Sequence, residues 1–129
     1  MTASEIGKLG ELTACRYLSG TGFEVLRQNY RSRQGEVDII ASDNQYIIFA
    51  EVKTRKPDSV VSGIDAVDPK KRRRLYLAAT KYMMEVGSDR QPRFDVISIV
   101  AEPFGETLKI HSIEHFTDVF GAEVCDEVF

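Results

Sequence analysis

The stretch YIIFAEVKTR at 46–55 constrains the fold more than any other part of the chain. Its first half, 46–50, is apolar at every position. Side chains of a strand alternate between faces, so a run apolar on both must be covered on both. That makes it a central strand with a layer above and a layer below. The second half carries Glu51, Lys53 and Arg55 on the face that Ile47 and Phe49 line. Charged groups that extend a buried strand need partners, because burying a charge unpaired is costly.

The preceding segment EVDIIAS at 36–42 offers a partner in Asp38, read as sharing a face with Glu36 and Ile40. Only the Asp43-Asn44 turn separates the two segments, so they should pair, and paired strands lie ~5 Å apart. Asp38 and Glu51 are then expected to converge beside Lys53. Two carboxylates are hard oxygen ligands suited to Mg²⁺ or Mn²⁺. A lysine next to them can position or deprotonate water and neutralise a phosphate, so the trio suits phosphodiester hydrolysis. The competing reading is an ion-pair cluster that only ties the two strands together.

The 129 residues fit one domain, taken as 1–129 with 114–129 as an acidic C-terminal tail. Residues 4–19 read as a helix with Ile6, Leu9, Thr13 and Tyr17 at helical spacing, and Leu12, Ala14 and Leu18 widening the apolar face. Thr2 with Glu5 resembles a capping box, and Gly20 and Gly22 provide the stop. Residues 23–30 suit a strand, and 56–67 a loop that could act as a mobile lid. Asp68-Pro69 opens a second helix whose buried stripe is Leu75, Ala78, Ala79, Tyr82, Met83 and Val86. Strands are expected at 93–100 and, shorter, at 107–113. The implied architecture is α/β, a mixed central sheet flanked by helices.

Net charge is −3, which alone argues against a nucleic-acid binder. Yet 11 of the 17 basic residues lie in 27–33 and 53–74. Arg31 and Arg33 enter the Asp38 strand, Arg55 ends the central strand, and Lys70, Lys71 and Arg74 begin the second helix. Together they could track a phosphate backbone, or be no more than solvated polar turns and faces. Glu11 lies at the edge of the first helix's apolar face, either reaching the metal site, directly or through water, or simply solvated. His111 and His115 read as surface residues, and Asp95 as structural, pairing with Arg93 or a helix end. Cys15 and Cys125 read as free thiols. No apolar run is long enough to span a bilayer, and the opening MTASEIGKLGE lacks the regions of a signal peptide, so a cytoplasmic location without membrane partners is expected.

GKLGELTA at 7–14, GEVDIIASD, FAEVKTR, KKRRRLYLAATKYM and RFDVISI closely resemble the YraN-type bacterial family of the restriction-endonuclease-like PD-(D/E)xK superfamily, over residues 5 to about 100. The resemblance implies a core of order αβββαβ and a divalent-metal-dependent endonuclease acting on nucleic acid. It also extends to archaeal Holliday-junction resolvases, which implies structured DNA as substrate and, by analogy, a homodimer. Carried over by motif, Glu11 is the first-helix acid, Asp38 and Glu51 are metal ligands, and Lys53 is the catalytic lysine. Val37 stands where the superfamily's proline would be. The alternative is a non-catalytic nucleic-acid-binding or assembly module that retains the fold. RNA is a further candidate substrate.

Overall fold

The computed structural model describes residues 1–58 and 68–126. The elements are α1 (Ala3–Gly20), β1 (Glu24–Arg31), β2 (Glu36–Ser42), β3 (Tyr46–Arg55), α2 (Pro69–Val86), β4 (Gln91–Phe104), β5 (Thr107–Phe120) and a short α3 (Glu123–Asp126). The strands form one mixed sheet in sequential order, with β3 central, as expected from its two apolar faces. All neighbours are antiparallel except β3 and β4, which run parallel because α2 carries the chain back across the sheet. The order αβββαβ is therefore present, with β5 added at the edge. The arrangement is compatible with a restriction-endonuclease-like core.

Two cores form, one on each side of the sheet. Phe49, Ile47, Ile40 and Val37 pack under α2 through Leu75, Ala78, Ala79 and Tyr82. Ile48, Ala50, Ile39, Ala41 and Ile97 pack under α1 through Ala14 and Leu18. The buried stripe of α1 is Gly10, Ala14 and Leu18. Small residues let the helix lie close to the sheet: a Cβ on Gly10 would collide with the Thr54 side chain. Leu12, expected on this face, points away and is 45% exposed. Val86, expected in the α2 stripe, is likewise exposed, because α2 ends there with Gly87 in the left-handed conformation. The Thr2–Glu5 capping box and the Asp68 cap both form.

The C-terminal third departs furthest from the sequence reading. β4 and β5 run well beyond 93–100 and 107–113, and the acidic stretch from Glu114 continues β5 to Phe120. His115, expected at the surface, has a side chain only 11% exposed. It is held inside by Asp95, whose carboxylate gathers His115, both nitrogens of an Arg93 fork and the Asp118 N–H. His111 is the more exposed of the two and pairs with Glu102. The expected lid at 56–67 lies outside the described residues from 59 onward.

Candidate metal and phosphate site

The site is a fork in the sheet. β2 and β3 pair only from Ile39–Ala50 to Ser42–Ile47. Before Ile39, β2 pairs with β1 alone, and beyond Ala50, β3 continues beside β4 alone. Asp38 and Glu51 are the first residues past the parting. Their side chains thus face an opening rather than each other across a closed ladder, and both helices can reach them.

A local irregularity turns Asp38 into that opening. Strict alternation would group Val37 with Ile39, yet Val37 lies in the α2 core with Ile40, and Ile39 lies in the α1 core. Opposite Asp38, between the Gln28–Ile39 and Tyr30–Val37 pairs, Asn29 has φ 53°. Asparagine is among the few non-glycine residues that tolerate this conformation. Its side-chain amide donates to Glu11 Oε2 at 3.2 Å. Asn29 was not among the expected site residues, since nothing in its sequence surroundings marks a left-handed residue inside a strand.

The resulting cleft, about 370 Å³, is lined by the first turns of α1 including Glu11, by Glu36, Asp38, Glu51 and Lys53, and by Lys71 of α2. Asp38 Oδ2 accepts the Val52 N–H at 2.8 Å. Glu51 Oε1 holds two ammonium groups, Lys53 Nζ at 3.3 Å and Lys71 Nζ at 2.6 Å. Burial, with the Glu51 charge alongside, pushes the Asp38 carboxyl up to about 7, against the pull of the Val52 N–H. Burial and the neighbouring Lys71 lower the Lys53 ammonium below the ordinary lysine value, with Glu51 opposing. Burial also acts to lower Lys71, but its bonds to Glu51 outweigh that and leave it raised. Burial raises Glu11, partly offset by Asn29.

Asp38 and Glu51 line one cleft, and the Glu51 charge is among the causes that raise the Asp38 carboxyl, so a cation placed between them would relieve that repulsion. Among the described residues, no three acids, histidines or cysteines are gathered closely enough to cage a metal. Mg²⁺ does not need such a cage, since it commonly uses one or two carboxylates and keeps its waters. The donor set therefore fits a Mg²⁺-type ion held by Asp38 and Glu51. Glu11 lines the cleft but bonds Asn29, which suits contact through water.

The expected basic residues come together in part. Gly35, in the β1–β2 turn, abuts the Arg74 backbone so closely that a Cβ would overlap its carbonyl. This contact sets the turn carrying Arg31 and Arg33 beside the start of α2 with Lys70, Lys71 and Arg74. Arg31, Arg33, Lys70 and Arg74 are exposed, and Arg31 is partly engaged by Glu36 at 3.4 Å. Arg55 is only partly exposed, and its buried Nη1 finds no hydrogen-bond acceptor among the described residues. Arg72 lies over the Phe120 ring, away from this rim.

The raised Asp38 has a thermodynamic consequence. A carboxyl whose folded-state value exceeds its unfolded one contributes stability that is full below about 4 and drains away as the pH rises towards 7. In chelator, the melting temperature should therefore fall by on the order of 5 °C between about pH 5 and pH 7.5. Millimolar Mg²⁺ should recover it at the upper pH. A melting temperature that rises over this interval in chelator would show that the Asp38 carboxyl is not raised.

No helix among the described residues is long and apolar enough to cross a membrane. The family model described as uncharacterised protein family UPF0102 matches residues 10–99, which include the whole fork. A UPF0102 protein of Chlorobium phaeobacteroides is 41% identical over 120 residues, covering 92% of this chain and 94% of its own. One from Rhodococcus jostii is 38% identical, covering 89% and 95%. One from Symbiobacterium thermophilum is 38% identical, covering 78% and 86%. With a family model spanning most of the chain and relatives matching almost end to end, the protein belongs to the UPF0102 family.

Proposed function

We propose that this protein is a divalent-metal-dependent nuclease of the PD-(D/E)xK type that hydrolyses phosphodiester bonds in structured DNA. The observation that carries the reading is the meeting of Asp38 and Glu51 at the fork, with Lys53 on the same carboxylate. A bare ion-pair cluster would set each acid against its own lysine and leave no opening, whereas here both lysines bond Glu51. The second acid, half-buried Asp38, stands at an open polar cleft, and its partial burial is unfavourable unless a cation uses it.

Asp38 and Glu51 would hold Mg²⁺ or Mn²⁺. When bound, such an ion supplies charge for a phosphoryl oxygen and makes water more acidic. Lys53 Nζ, in the neutral amine form that its lowered proton affinity favours, would accept a hydrogen bond from the attacking water and take its proton. Glu51 fixes that nitrogen in place. Water oxygen attacks phosphorus opposite the leaving oxygen, one P–O bond forms and another breaks, and the leaving oxygen is protonated from solvent. The rim of Arg31, Arg33, Lys70 and Arg74 supplies backbone contacts that carry no sequence information, which suits a nuclease reading shape rather than sequence.

The test is a cleavage screen with four-way junctions, flaps, single strands, duplex DNA and RNA, each with Mg²⁺ or Mn²⁺, run beside Lys53→Ala. The expected result is metal-dependent cutting of at least one branched DNA by the parent, reduced by about 10²-fold or more in the variant. Tight binding with no cutting of any substrate would instead support the non-catalytic binding module, and cutting of RNA alone would move the substrate class.

A further inference from the structure

We propose that Lys71 is a movable counter-ion that couples cation binding to phosphate binding at this site. The inference rests on the nuclease reading above. Lys53 and Lys71 both bond the same oxygen, Oε1, of a nearly buried Glu51. With both acids ionised, Asp38, Glu51, Lys53 and Lys71 sum to zero charge. A divalent cation arriving alone would bring this half-buried cluster to +2, and like charges at such distances repel by kcal/mol amounts. One ammonium has to leave, or an anion has to arrive.

Lys71 is the one free to go. Its side chain is 42% exposed, against 24% for Lys53, which is held on the central strand. It grows from the first turn of α2, where the helix dipole disfavours a cation and the Asp68 carboxylate caps the Lys71 N–H, so the ammonium is held by Glu51. It also stands in the wall between the main cleft and a smaller opening of about 50 Å³ that Arg74 lines. A rotation of its stem carries the ammonium from Glu51 to the basic rim. In the resting protein Lys71 neutralises Glu51. With a cation bound it turns to a backbone phosphate, so each ligand strengthens the other, as linkage requires.

The experiment has two arms. First, Mn²⁺ alone is titrated into the parent, Lys71→Gln, Lys71→Arg and Asp38→Asn, with free ion followed by electron paramagnetic resonance and folding checked by circular dichroism. Lys71→Gln should bind Mn²⁺ about fivefold to tenfold more tightly than the parent, and Lys71→Arg within about twofold of it, since only the first removes the charge. Second, binding of a branched oligonucleotide is measured in Ca²⁺ and in chelator. Lys71→Gln should weaken it several-fold in Ca²⁺ and leave it unchanged in chelator, where Lys71 is held by Glu51.

Unchanged or weaker Mn²⁺ affinity in a folded Lys71→Gln overturns the counter-ion role. Equal losses of oligonucleotide affinity in both conditions do so as well, because Lys71 would then be a phosphate contact at all times. If the parent binds Mn²⁺ and Asp38→Asn does not, the nuclease reading survives either result. If neither the parent nor Lys71→Gln binds Mn²⁺, both fall.

Discussion

Asp38→Asn is expected to abolish cleavage, by about 10³-fold or more, while making the metal-free protein harder to melt. The two effects come from one carboxyl. Its burial beside Glu51 pushes it to about 7, so at pH 8 the folded protein holds an anion that burial and its neighbour both disfavour. Asparagine has nearly the same shape. Its oxygen can still accept the Val52 N–H, and its amide can donate to Glu51 where a second anion stood. The relief is about 2 kcal/mol at pH 8, taken well below the full shift because the two acids titrate together. In the proposed site the same change removes one of two anionic donors to the cation. Activity should therefore collapse and Mn²⁺ affinity with it, while the melting temperature in chelator rises at pH 8 and hardly changes at pH 5. A variant that stays active, or that melts lower at pH 8, would remove Asp38 from the centre of the site. This is a stability–function conflict of the kind expected where buried charge is kept for chemistry.

Asp95→Ala is expected to produce the largest loss of stability in the molecule, about 3–5 kcal/mol, with a fall in melting temperature on the order of 15 °C. The Asp95 side chain is fully buried and accepts four hydrogen bonds: from Arg93 Nε at 3.0 Å and Nη2 at 2.8 Å, from His115 Nε2 at 2.7 Å, and from the Asp118 N–H at 3.0 Å. Alanine leaves the Arg93 fork and the His115 ring without that partner in a nearly closed space. The deletion also releases structure at a distance. β5 bulges around Asp95, since Phe94 pairs with Phe120 and Val96 with Phe116, and Asp118 takes a φ of 53° to aim its N–H inward. His115 Nδ1 lies 2.9 Å from the Tyr17 hydroxyl, which ties α1 to the sheet. Asp95→Asn should lose less, because one oxygen remains as an acceptor. The pH dependence separates this site from the fork. Burial acts to raise the Asp95 carboxyl, but the bonds from His115, Arg93 and Asp118 outweigh it and hold it below the usual range. Its stabilisation is therefore present above about 4 and is lost as the pH falls through the lowered value. The deficit of Asp95→Ala measured by denaturant unfolding should be full at pH 7 and shrink in acid. A deficit under about 1 kcal/mol at pH 7 would mean that the network is not structural.

The fork and the network were legible in the sequence to different degrees. Asp38, Glu51 and Lys53 could be placed together because strand alternation and a short turn are local rules, but alternation breaks at Asp38 and its direction was not legible. The apolar run at 46–50 made β3 central for the same reason. Asn29 could not be found this way. Its left-handed backbone, its reach to Glu11 and its place opposite Asp38 exist only once β1 has paired with β2. His115 read as a surface residue because its partners, Asp95 and Tyr17, are 20 and 98 positions away and no periodicity links them. The two basic segments were visible as charge, but only the contact of Gly35 with Arg74 sets them side by side.

Asp38, Glu51 and Lys53 thus show the division between sequence and structure. Local chemistry alone determined that β3 is central, that its far half is charged, and that an acid on β2 should meet it, because side-chain alternation and turn length act over a few residues. Tertiary structure decided how they meet. The ladder between β2 and β3 stops at Ile39–Ala50, and the two acids stand at a gap that α1 and α2 both enter. It also put Lys71, a residue of the next helix in the chain, onto the same oxygen as Lys53. Such a meeting depends on how a crossover helix packs over the sheet, a balance of buried apolar area on two faces that no short stretch of sequence contains.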